Sequence, residues 1–159
     1  MSDIIRNAIA TPDGTILESR TRHDYKAYKD ANGKTYMIDG GCDYVRCSAN
    51  GDEVDLSVCT DASFKVQRMA CTWGTYGKEG DQPLHYKRVA DMEDGHLTAV
   101  LTTQPHMYPQ VRELMKRELL HRGIEFDEAG WSKESWRRSE RAHVASVLEM
   151  MNELRGKNK

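Results

Sequence analysis

No run in this chain approaches the ~20 consecutive apolar residues that span a bilayer, so the sequence offers no transmembrane segment and no membrane partner is expected. Charge of one sign is also lacking. The 23 Lys and Arg residues stand against 25 Asp and Glu, a formal net charge of -2. No net field would condense such a protein onto nucleic acid or an anionic surface, and nucleic acid is not an expected partner. Cysteine is scarce: Cys42, Cys47, Cys59 and Cys71 form no close CxxC pair, and no HxxxH accompanies them. Neither a zinc ribbon nor a dithiol redox motif is therefore expected. The start, MSDIIRNAIATPDG, is short and broken by Asp3, Arg6 and Pro12, unlike the apolar core of a secretory leader, so the thiols are expected to be reduced, in a cytoplasm. GxSxG, HExxH, the Rossmann fingerprint, the P-loop and H-x-E with PCxxC are all missing. That removes the common serine hydrolases, zincins, dinucleotide and P-loop enzymes and zinc deaminases as sequence-supported readings, and no cofactor is expected. His85, His96, His106, His121 and His143 lie too far apart to make a metal motif.

What is present suits one folded core. The 159 residues, 38% hydrophobic and 30% charged, are enough to bury a core without disulfides or metal and are well short of a disordered composition. Internal repeats, low-complexity tracts and long linkers are absent. The first sixty residues carry turn signals at short intervals between β-branched and aromatic runs. Pro12-Asp13-Gly14 predicts a hairpin between residues 8–10 and 15–17, and Asn32-Gly33 predicts a second between 25–28 and 34–38. Strand alternation then puts Tyr36 and Ile38 on one face. After Gly40-Gly41, residues 44–46 and 56–59 read as two short strands around an Asn50-Gly51 turn, and the sheet is expected to be antiparallel.

Asp61 is the expected N-cap of a helix over 62–71, with Phe64, Met69 and Ala70 facing inward. The second half is helical in character. Asp94 is expected to cap a short helix through Leu101 that stops before Pro105. Pro109 and Gly123 bracket another, with Val111, Leu114, Met115 and Leu119 as its buried stripe and Leu120 at the stripe's edge. A last helix runs from Ser132 to about Gly156. The expected fold is α+β, an N-terminal antiparallel β-hairpin sheet followed by three helices, the last a protruding arm. It divides into a domain over 1–123 and a helical extension over 124–159 that packs on it or on a partner. The basic groups Arg112, Lys116, Arg117, His121 and Arg122, and Lys133, Arg137, Arg138 and Arg141, are interleaved with Glu113, Glu118, Glu134 and Glu140. Both read as solvated helix faces laced with ion pairs.

Two stretches carry a resemblance. RNAIATPDGTILESRTRHDYKAYKDANGKTYMIDGG, residues 6–41, and TWGTYGKEGDQPLHYKRVADMEDGHLTAVLTTQ, residues 72–104, the latter continuing into RELMKRELLHR at 112–122, resemble an uncharacterised family of accessory, non-virion proteins of large tailed bacteriophages. Within the second, DMEDGHL is similar to a short element scattered through phage proteins, and departs from it at Gly95. The resemblance covers somewhat over half of the chain and stops before Ile124. It implies a phage-encoded protein made in the host cytoplasm, and it implies no activity.

Three features are candidates for function. The loop from Trp73 to Pro83 has three glycines interleaved with aromatic and basic residues. Such a loop brings backbone N–H groups and Lys78 toward a phosphate while Trp73 or Tyr76 stacks on a base. The competing reading is a wide β-turn from a helix to a strand, with Trp73 as a core anchor and His96 a local cap or packing residue. Arg20 and Arg22, two apart, share a face if extended and would grip an anion; His23 beside Asp24 suggests an oriented base, but neighbours on a strand point to opposite faces. The last helix carries Trp136, Val144, Val147 and Met151 on one side, a surface for a host protein or a second copy. The leading expectation is non-enzymatic binding of a host macromolecule, to redirect the host or blunt its defences. The alternatives are a binder that sequesters a nucleotide signal and an enzyme using His23.

Overall fold

Gly14, at φ +87°, closes the first hairpin, where Thr11 and Thr15 bond through their backbones. In the computed structural model, which describes residues 2–128 and 133–156 (the side chains of 133–139 excepted), β1 (Ile4–Ala10) and β2 (Ile16–Ser19) pair antiparallel with Ala10 opposite Ile16. The second hairpin, β3 (Lys26–Lys29) with β4 (Thr35–Asp39), is closed by Gly33 at φ +80° and by the Asp30 carboxylate, which accepts from the N–H groups of Asn32 and Lys34. Tyr36 and Ile38 are both inaccessible, as the alternation of β4 requires. The fold is α+β, with antiparallel strands leading into helices.

In place of the expected single sheet, the described residues form three. β5 (Arg46–Cys47) pairs with β4, whereas β6 (Val54–Asp55) and β7 (Val58–Cys59) pair with β1 on the edge opposite β2. The Asn50-Gly51 segment is thus a link between sheets and not a hairpin turn. A third, two-stranded sheet is formed by β8 (Thr72–Thr75) and β9 (His85–Arg88). The glycine-rich loop therefore joins two strands, not a helix and a strand. Gly74 leaves room for its neighbours across the pair: a Cβ there would sit 3.1 Å from Cε1 of Tyr86 and 3.2 Å from Cδ1 of Leu84, so those side chains would have to give by a few tenths of an ångström.

The described residues also form four helices: α1 (Phe64–Ala70), α2 (Asp94–Thr103), α3 (Pro109–His121) and α4 (Lys133–Gly156), with a 3₁₀ turn (Val89–Asp91) before α2. Ser63, not Asp61, caps α1, its hydroxyl accepting from the Val66 N–H. The buried residue of α1 is Gln67, whose amide donates to the carbonyls of Thr60 and Ala62; Met69 is exposed. Helix α2 begins a residue early, with Glu93 as N-cap and Asp94 in its first turn. Helix α3 keeps its expected bracket, and Gly123 follows it at φ +76°, but Leu120 is 71% exposed. Helix α4 covers the expected span as far as it is described, since Ser132 lies outside the described residues.

Two apolar clusters result. Leu97, Val100 and Leu101 of α2 interdigitate with Val111, Leu114, Met115 and Leu119 of α3, together with Ile5, Cys71, Val89 and Met92; Ile124 and Phe126 pack at the margin. A smaller cluster of Ile9, Leu17, Tyr36 and Ile38 joins the two hairpins. Each fully buried Leu or Met contributes about 1.5–3 kcal/mol, so the α2–α3 cluster is the main apolar anchor. Within it Glu118 has no exposed side-chain surface. Its carboxylate accepts from Nε and Nη2 of Arg68, both at 2.6 Å, and from Nε of Arg122 at 2.8 Å. Arg122 also donates to the carbonyls of Met92, Val89 and Ala90 and to Asp94. Glu118 and Arg122 were expected on a solvated face; they form an ion-paired tie between α1, α2 and α3 instead.

Candidate functional site

The site grows from the end of the first hairpin. Residues two apart on a strand share a face, so Glu18 at the end of β2 and Arg20 just beyond it project the same way, and Ala8 opposite Glu18 brings Arg6 beside them. The Glu18 carboxylate accepts from Arg6 Nη2 at 3.4 Å and Arg20 Nη2 at 3.1 Å. Two guanidinium groups on one carboxylate leave a net positive charge. Arg20 is fixed further by Nε donating to the Thr72 hydroxyl at 3.3 Å and by stacking over Tyr86, its guanidinium carbon 4.0 Å from the ring centre. Nη1 of Arg20 has no protein acceptor among the described residues.

These groups wall a cavity of about 410 Å³ between the first hairpin, β8–β9 and the approach to α3. Ile5, Cys71, Trp73, Met107 and Val111 provide its apolar lining, and His106 and Tyr108 stand along its side. The other side of the hairpin holds the wall in place. Asn7, 2% exposed, donates its amide to the carbonyls of Asp39 and Gly41, and the Ser19 hydroxyl accepts from the Gly41 N–H while donating to the Asp24 carbonyl. Gly40 and Gly41, at φ +89° and +55°, are required here: a Cβ on Gly41 would lie 2.7 Å from the Thr21 backbone, and one on Gly40 would overlap the Tyr44 carbonyl.

Burial pushes the Cys42 thiol up to about 11 and the Cys71 thiol up to about 12, so both stay protonated and poorly nucleophilic at neutral pH. Tyr108, half-buried and hydrogen-bonded to Asp43, is raised to about 12, by desolvation first, and stays neutral. At neutral pH the cavity thus offers an incoming molecule guanidinium charge, aromatic surface and an apolar floor.

The nominated residues are divided by the structure. Arg20 and Trp73 meet in this cavity although 53 positions separate them in the chain. Arg22 does not share a strand face with Arg20, because β2 ends at Ser19 and residues 21–24 turn, the Asp24 N–H bonding the Thr21 carbonyl. Arg22 and His23 are exposed. The Asp24 carboxylate is turned to the Arg20 N–H and Lys26 Nζ; burial pushes its pKa up, but these hydrogen bonds and the nearby positive charges outweigh it and hold the carboxyl below its ordinary value. Tyr76 is 57% exposed. Lys78 lies in a different cleft of about 480 Å³, with Lys87, Glu93 and His96. His96 is not the cap of α2; it is half-buried in that cleft.

On α4, Val144 and Met151 are exposed, Val147 is half-buried, and the Trp136 side chain lies outside the described residues. Sequence reasoning missed Arg6, Glu18, Tyr86 and Cys71. Opposite charges at alternate positions across the first hairpin were the available signal for Arg6, Glu18 and Arg20; nothing local marks Tyr86 or Cys71. Among the described residues no cluster of His, Cys, Asp or Glu is placed to hold a metal ion, and no helix is long and apolar enough to cross a membrane. No protein-family model, curated protein or solved structure matches the chain.

Proposed function

We propose that the protein binds a small organic anion with a flat ring, of which a nucleotide is the first class to test, in the Arg20–Trp73 cavity. One observation carries the reading: Arg20 is held by Glu18, Thr72 and Tyr86 at the edge of an apolar cavity, with Nη1 unengaged among the described residues. A guanidinium fixed before a ligand arrives loses little entropy on binding, and its fork matches a phosphate or carboxylate. The volume, about 410 Å³, is in the range of small-molecule sites. The two stretches that resemble phage accessory proteins supply Arg6, Glu18 and Arg20 on one side and Thr72, Trp73 and Tyr86 on the other, and with that resemblance the proposal extends to a phage-encoded role in the host cytoplasm. Thermal melting against a panel of nucleoside monophosphates and aromatic carboxylates tests the reading. At least one compound should raise the melting temperature of the native protein and not that of Arg20→Ala. A panel without any shift sinks it.

A second reading, binding of a host macromolecule, is supported by α4. Val144, Leu148, Met150, Met151 and Leu154 are 43–58% exposed there, an uncovered apolar surface on a helix. Val144→Glu combined with Met151→Glu should leave the melting temperature unchanged and abolish association with a host protein in infected cells; association that survives the pair counts against this helix.

A further inference from the structure

The cleft that holds Lys78 is separate from the Arg20 cavity. It is walled by the glycine-rich loop (Thr75, Gly77, Lys78), by Lys87 of β9 and by the start of α2 (Glu93, His96). The loop is a closed turn: the Gly80 N–H bonds the Gly77 carbonyl at 3.1 Å and the Gln82 N–H bonds the Tyr76 carbonyl at 2.8 Å. Gly77 sits at φ +85°, a backbone conformation that residues with a side chain rarely adopt. Lys78 is therefore carried on a defined backbone. Lys78 and Lys87, like Lys29 and Lys65, form no ion pair among the described residues, and these two both line this cleft. His96 is the third nitrogen-bearing group. Burial first and the charge of Lys87 second lower its pKa, with Glu93 opposing. Glu93 is the one carboxylate among the lining residues, so the cleft keeps an excess of positive charge.

We infer that this cleft is an oxyanion site, for the phosphate groups of a small molecule, with Lys78 and Lys87 as its charge-bearing ligands and His96 as a hydrogen-bond donor. Three groups from three separate segments line one space of about 480 Å³, and an anion there would relieve the repulsion that Lys87 imposes on a protonated His96.

The test uses inorganic phosphate and pyrophosphate with the full chain, by calorimetry and by following the His96 ring protons in NMR across pH. Pyrophosphate should bind saturably and more tightly than phosphate. Lys78→Ala and Lys87→Met should each weaken it by about tenfold or more without lowering the melting temperature, the methionine preserving the apolar contacts of the lysine stem. The charged groups facing His96 in the cleft are Lys78, Lys87 and Glu93; bound pyrophosphate should raise the His96 pKa against them. The His96 signal separates this site from the cavity proposed above, because His96 lines this cleft and not that one. Absence of saturable binding, or binding unaltered in both lysine variants, overturns the inference.

Discussion

Arg20 stacks its guanidinium 4.0 Å from the centre of the Tyr86 ring while donating to the Glu18 carboxylate at 3.1 Å, so that one side chain ties the first hairpin to β9. The planar group is held on a ring and at a carboxylate, and its orientation is set before any ligand enters.

Geometry, and not charge alone, should then decide ligand binding. Arg20→Lys keeps the charge but loses the planar fork and the stacked plane, and should weaken an anion that the native protein binds by about tenfold. Tyr86→Leu removes the ring beneath the guanidinium and should cost about 0.5–1 kcal/mol of binding. Isothermal titration of the two variants and the native protein measures both. Equal affinities in all three would show that Arg20 does not contact the ligand.

Glu118 should be among the most sensitive positions for stability. Removing one partner from a buried ion pair leaves uncompensated charge, so Glu118→Gln should destabilise the protein by about 3 kcal/mol in urea unfolding. The hydrogen bonds from Arg68, with those from Arg122, hold the Glu118 carboxyl below its ordinary value of 4.5. A carboxyl depressed in the folded state stabilises it fully above the unfolded value, and this contribution is lost as pH falls through the folded value. The native protein should therefore lose stability on acidification below about pH 4.5, and Glu118→Gln should lose less over the same window.

Both hairpins and α3 were legible because their boundaries rest on local chemistry. Gly14 and Gly33 provide the positive φ that the turns need, and Pro109 and Gly123 stand where a helix opens and stops. The partition into sheets was not legible. Arg46–Cys47 and Val54–Asp55 flank a good turn signal, yet they pair with β4 and β1, and that choice is made by tertiary contacts. β8 was not legible because Gly74 interrupts its pattern, and the close side chains of Tyr86 and Leu84 that suit a glycine there come from β9 and the loop before it. Glu118 was hidden by its own charge. Periodicity places it beside Leu114, Met115 and Leu119, but only its partners on α1 and beyond α3 make burial tolerable. For the site, Arg20 and Trp73 were each visible alone, and their meeting depended on the unseen β8–β9 sheet.

The cysteines give an independent check on the packing. Cys47 is exposed, whereas Cys71 is 1% exposed with its thiol pushed up to about 12 by burial. Timed alkylation read by mass spectrometry should modify Cys47 first and Cys71 only on unfolding. A ligand in the Arg20 cavity should slow modification of Cys42, which lines it, and leave Cys47 unaffected.

The central claim is that Arg20 and Trp73 form one anion-binding cavity. The most direct measurement is the indole N–H resonance of Trp73, assigned with Trp73→Phe, during titration with the nucleotide or aromatic carboxylate that most stabilises the protein. The account predicts a saturable shift of that resonance in the native protein and its loss in Arg20→Ala. A resonance that does not move at saturation, or that moves identically in Arg20→Ala, would contradict it.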